Sequence, residues 1–128
     1  MTYTAQARSR YTTDAIATAS PAKLLVMLLD RLVLDLVNAE KYSTAGNYEQ
    51  MGTELQHAQD IILELRTSLD VSAWSGGQGL CDLYTWLFGE LVTANIKRDT
   101  VRIATCRGII EPLRDAWRQA ALSLLQTA

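Results

Sequence analysis

A chain of 128 residues, 48% hydrophobic and 20% charged, can bury one core, and it is neither a disordered tail nor a multidomain assembly. A formal net charge of −2 offers no general attraction to phosphate backbones, which excludes nucleic acid as an expected partner. Only two cysteines, Cys81 and Cys106, are present, too few for a disulfide framework or a structural zinc site. They read as buried, reduced thiols of a cytoplasmic protein.

Residues 1–19 are polar and aperiodic, with Tyr3 and Tyr11 as lone aromatics. They are expected to form an N-terminal arm, or a short extra helix around residues 5–14. No apolar h-region marks a secretory signal. The bundle domain is expected over 20–128. Ser20 followed by Pro21 supplies an N-cap and a first helical residue, so the first long helix is predicted from 21 to about 42. Its run "AKLLVMLLDRLVLDLVNA" does not read as a membrane span. Asp30, Arg31 and Asp35 interrupt it, each costing about 2.5–3.5 kcal/mol at a bilayer centre. Leu25, Leu28, Leu32, Leu36 and Ala39 form one stripe, with Val26, Val33 and Val37 beside it.

Gly46-Asn47 marks a turn, and a second helix is predicted over 48–68. Met51, Leu55, Ala58, Ile62 and Leu65 line one face, while His57, Asp60 and Glu64 fall on the polar side. The Gly-rich stretch 70–79 is a loop before a third helix over about 78–96. That helix carries too much apolar surface. Leu83, Tyr84, Leu87, Leu91 and Ala94 make one line, and Cys81, Phe88, Val92 and Ile96 make a second. Asp99 is a plausible N-cap for a fourth helix starting near Thr100, with Ile103, Cys106, Ile110, Leu113 and Trp117 inward. Pro112 should kink or split it. No segment has strand periodicity. Short connections favour antiparallel neighbours, so the fold class is all-α, an antiparallel up-down four-helix bundle with an N-terminal arm or short extra helix. Either bundle packing absorbs the surplus apolar surface or a partner covers it.

Catalytic signals are absent. His57 is the sole histidine and reads as a solvated helix residue, and no paired Glu-x-x-His motifs exist for a di-metal bundle. "SGGQG" lacks the Lys-Ser/Thr of a phosphate loop. Lys97, Arg98, Arg102 and Arg107 read as solvated, or as partners of the helix dipole and neighbouring carboxylates. Asp30 and Asp35 project about 140° apart and make no acid/base pair. Trp86 lies off both stripes, as an exposed anchor or a filler of a bundle gap. No cofactor, metal or catalytic residue is expected.

Four stretches, in order, carry a family resemblance: Tyr11 with "TASPAKLLVMLLD" (18–30), "AQDIILELRTSLD" (58–70) ahead of Gly-Gly, "LYTWLFGELVTANIKRD" (83–99) and "LRDAW" (113–117). Together they resemble the flagellar secretion chaperones of the FliS family over almost the whole chain. The resemblance implies a cytosolic helical bundle without enzymatic activity. Such a protein binds the disordered C-terminal segment of flagellin in hydrophobic grooves, prevents premature polymerisation and keeps it competent for type III export. The implied partner-binding residues are Tyr11, Leu24, Leu25, Leu28, Tyr84, Leu87, Phe88, Leu91 and Asn95. Tyr11 matches an arm tyrosine that covers the groove in the empty chaperone. Asn95 would bond client backbone or cap its own helix, and for each leucine the alternative is core. Trp86 and Pro112 depart from the family pattern. Other flagellar regulators or export-gate components are further partners to expect, with the chain a monomer or weak homodimer. The rival reading is a homodimeric helical regulator that sequesters another flagellar or secretion factor, using the second stripe of the third helix as its seam.

Overall fold

In the computed structural model, residues 21–127 are described, with side chains to Ser123. Four helices account for nearly all of them: α1 (Pro21–Thr44), α2 (Tyr48–Ser68), α3 (Gly77–Lys97) and α4 (Thr100–Thr127). No strand occurs among the described residues. The expected arm, with Tyr11 and the Ser20 cap, lies outside them.

Local chemistry sets the helix boundaries. Asn47 N–H donates to the Tyr42 carbonyl and Gly46 N–H to that of Ser43, which ties off the last carbonyls of α1. Gly46 takes the left-handed conformation, φ 75°, which costs least without a Cβ. The Asn47 side chain then accepts from Gln50 N–H and caps α2. At the other short turn Asp99 accepts from Arg102 N–H at 3.0 Å, which caps α4 as expected. Arg98, just before it, is the one non-glycine at positive φ among the described residues (53°), and its guanidinium stacks over the Tyr48 ring at 4.3 Å.

The helices pack as a square. α1 lies against α2 and α4, α3 lies against the same two, and the diagonal pairs make no close backbone approach. With turns of a few residues between them, this is the antiparallel up-down bundle. Its core is drawn from the expected stripes: Leu29, Leu32, Leu36 and Ala39 of α1, Met51, Leu55, Ala58 and Ile62 of α2, Tyr84, Leu87, Leu91 and Ala94 of α3, and Ile103, Cys106 and Ile110 of α4. Arg107 clamps Glu40 of α1 through two nitrogens, at 2.5 and 3.1 Å, and also holds Glu111 at 2.5 Å. Arg118 reaches Asp30 at 2.5 Å, and Arg102 bridges Glu90 and Asp99. Of the basic residues expected to be solvated or to answer carboxylates, Arg102 and Arg107 take the second course.

Two expectations need correction. Of the two outcomes expected at Pro112, a kink or a split, the split does not occur: the fourth helix runs unbroken from Thr100 to Thr127. The carbonyl that loses its partner is that of Gly108, four residues earlier. Gly108 is exposed, with open space around it, so water can reach that carbonyl in place of the missing N–H. The second correction concerns His57, which is not simply solvated. Its Nδ1 meets Oδ2 of Asp35, a carboxylate with 0% exposure between α1 and α2. Arg31 Nε lies 3.0 Å from the other oxygen without hydrogen-bond alignment, so that oxygen is compensated by charge alone. A buried carboxylate requires such partners, because an isolated one would be too costly to desolvate.

Candidate functional site

The bundle is open at one end. There α1 and α3 begin, α2 ends, and a cavity of about 450 Å³ is left between them. Pro21, Ala22, Leu24, Leu25 and Leu28 form its α1 wall. Leu65 and Ser68 close it from α2, Leu69 from just beyond the end of α2, Leu80 and Tyr84 from α3, and Trp117 from α4. α1 and α3 stand diagonally across the bundle, so side chains of both face the same interior, and at this end that interior is left unfilled.

The loop 69–76 completes the site. Asp70 Oδ1 accepts from Ser72 N–H at 3.1 Å and from the Ser72 hydroxyl at 2.6 Å, which fixes the turn. These bonds also hold the Asp70 carboxyl below its ordinary range. The chain then passes so close to α3 that a Cβ on Gly77 would lie 2.5 Å from the Val71 carbonyl oxygen. The Trp74 ring is laid over Gly76, in space that any side chain there would occupy, and it forms an outer wall of the cavity while staying 49% exposed. Glycine at 76 and 77 is therefore what lets the indole face the opening.

The residues named from the sequence separate into groups. Leu24, Leu25, Leu28 and Tyr84 meet at the cavity. Leu87 and Leu91 have 0% exposure and lie wholly within the core. Phe88 is half-buried and packs on the core without lining the cavity. Asn95 is half-buried, and its amide oxygen lies where a Cβ on Gly52 would be 3.3 Å away, so it faces α2. Tyr11 lies outside the described residues. Trp117, expected in the core, both packs on it and lines the cavity, while Trp86 stands 47% exposed. Leu65, Leu69, Trp74 and Leu80 are cavity residues that sequence reasoning did not select. The helix wheel placed Leu65 on the α2 stripe but held no sign that the stripe runs past the end of the core.

Nothing in the arrangement is set up for chemistry. Burial pushes the Tyr84 phenol up to about 12 and the Cys106 thiol up to about 11, the latter with help from Glu90, so both stay protonated near neutral pH. Among the described residues no group of three His, Cys, Asp or Glu side chains could hold a metal ion. None of their helices is long and apolar enough to cross a membrane.

A helical bundle with a preformed, largely apolar opening has the geometry of a binding protein. The chain belongs to the FliS family: it matches the family described as "Flagellar protein FliS" over residues 3–123. It is 32% identical over 117 residues to the flagellar secretion chaperone FliS of Bacillus subtilis (strain 168), covering 88% of this chain and 84% of that one. Against the flagellar secretion chaperone FliS of Escherichia coli (strain K12) the identity is 30% over 112 residues, covering 86% and 82%. A crystal structure of a bacterial flagellar chaperone has the same fold, with a TM-score of 0.75 over 92% of this chain and 97% of that one, at 22% identity. Membership places the chain among chaperones and not among enzymes.

Proposed function

We propose that this protein is a cytoplasmic export chaperone for flagellin. It holds the disordered C-terminal segment of its client, blocks premature polymerisation and keeps the client ready for type III export. The observation that carries this reading is the cavity at the bundle end, in a family whose named members are flagellar secretion chaperones. Leu24, Leu25, Leu28 and Tyr84 receive apolar side chains of the client there, with Trp74 and Trp117 as flanking walls. Phe88 and Asn95, on the α2-facing side of α3, are candidates for a later contact along the same client, and Tyr11 for a cover of the empty site.

The mechanism is sequestration by burial. The client segment is unstructured when free, so ordering it consumes part of the interaction energy, and a large interface can still release its cargo. Isothermal calorimetry with the C-terminal segment of flagellin from the same organism should give one-to-one binding with a negative heat-capacity change. An absence of saturable heat would overturn the proposal. Ile96 and Val101, each 76% exposed, and half-exposed Trp86 are the observations that favour the rival homodimer. Sizing chromatography of the free protein separates the two: a stable dimer supports the rival and a monomer excludes it.

A further inference from the structure

The cavity is apolar in its body and charged at its mouth. Among the described residues its charged lining is Glu64 and Asp70, both acidic and both exposed. Among the described residues neither takes part in an ion pair, whereas Asp30, Glu40, Glu90 and Glu111 each face an arginine. Lys23 and Arg66, the basic residues nearest in sequence, do not line the cavity. The two hydrogen bonds from Ser72 fix the Asp70 carboxylate in place and in its charged form.

Helix ends contribute partial charges here as well. α1 and α3 begin at the opening and α2 finishes there. Each end carries about half an elementary charge, and the negative end of α2 cancels one of the two positive ones. Two full carboxylates outweigh what remains, so the described lining of the mouth is net acidic.

We propose that the cavity selects client segments in which a Lys or Arg directly flanks bulky apolar side chains, with the cation answered by Glu64 and Asp70. This rests on the chaperone reading above and deepens it. The apolar side chains fill the body of the cavity and supply most of the affinity. The cation supplies register and discrimination, because an acidic residue at that place would meet like charge at the rim. Exposed pairs of this kind contribute modestly and are screened by salt. The signature is therefore a salt-dependent component of binding.

The test uses the whole protein and the C-terminal segment of flagellin from the same organism, titrated at low and high salt. The probe is prepared as found and with its Lys and Arg residues changed to Gln. The protein variants are Glu64→Gln with Asp70→Asn, which keeps the Oδ1 acceptor for Ser72, and separately Leu24→Asp. The double variant should bind about fivefold more weakly at low salt and lose the salt dependence. Neutralising the probe should weaken binding to the unchanged protein equally, and have no further effect on the double variant. Unchanged affinity and salt dependence in the double variant, with the unchanged protein binding well, would overturn the charge selection and leave the chaperone reading standing. If the unchanged protein ignores the probe, or Leu24→Asp binds it as tightly, the cavity reading fails and the selection falls with it.

Discussion

Replacing Leu24 by Asp should separate binding from folding. Leu24 lines the cavity and is half-buried, yet unlike Leu25 and Leu28 it does not pack against the core cluster. Its apolar surface is thus available to a client but is not holding the bundle together. Burying a leucine side chain fully stabilises by about 1.5–3 kcal/mol, of which only the part still exposed, about a third or less, is gained with a client; the larger cost is that of desolvating the new carboxylate, about 1–2 kcal/mol or more. Together these come to about 1.4–3 kcal/mol, so at 1.4 kcal/mol per tenfold affinity should fall by about tenfold or more. Leu87→Ala is the opposite case. Leu87 has 0% exposure, so its truncation should cost about 2–5 kcal/mol of stability while the molecules that remain folded bind as before. Urea denaturation read by circular dichroism gives the stabilities, and calorimetry with the flagellin segment gives the affinities. If Leu24→Asp lowers stability as much as Leu87→Ala and leaves affinity unchanged, the reasoning is refuted.

Three further outcomes are expected. His57→Ala leaves the enclosed Asp35 carboxylate short of a partner and should cost about 1–3 kcal/mol, and the cost should shrink when Asp35 is first changed to Asn; equal cost in both backgrounds would show that the pair is not coupled. Gly77→Ala should destabilise by about 1–3 kcal/mol, because its Cβ would press on the Val71 carbonyl oxygen, whereas Gly79→Ala, with open space around it, should be neutral or stabilising in a urea melt. The cap bond from Arg102 N–H holds the Asp99 carboxyl below its ordinary range. A depressed carboxylate contributes stability above its unfolded value, near 3.9, and that contribution is lost as pH falls through the folded one. Asp99→Asn, which keeps an acceptor without a proton to gain, should therefore flatten the acid limb of the stability curve, and an unaltered limb would contradict the assignment.

The helices were legible because local signals and periodicity agree there. The Asp99 cap, the Gly46-Asn47 turn and the stripes of α2 and α4 each follow from chemistry within a few residues. Asp35 was open to a better reading. It falls three residues after Leu32 and four before Ala39, on the buried side of the wheel, where a carboxylate must find a partner. The cavity is different in kind. It is built by residues from all four helices and a loop, and it exists because the α1 and α2 stripes extend beyond the level at which the core is filled. Periodicity shows that Leu24 and Leu87 are both apolar and helical. Only their height along the bundle distinguishes an open position from a sealed one. Trp74 illustrates the same limit, since its place depends on the backbone path that Gly76 and Gly77 allow.

Amide hydrogen exchange on the whole protein, with and without the flagellin C-terminal segment, tests the central claim most directly. Slowed exchange is predicted at the start of α1 around 21–28, at the end of α2 and its loop around 64–74, and at the start of α3 around 80–84. A bound client that protects none of these stretches, or protects only the distal turns around 45–48 and 96–101, would contradict the account.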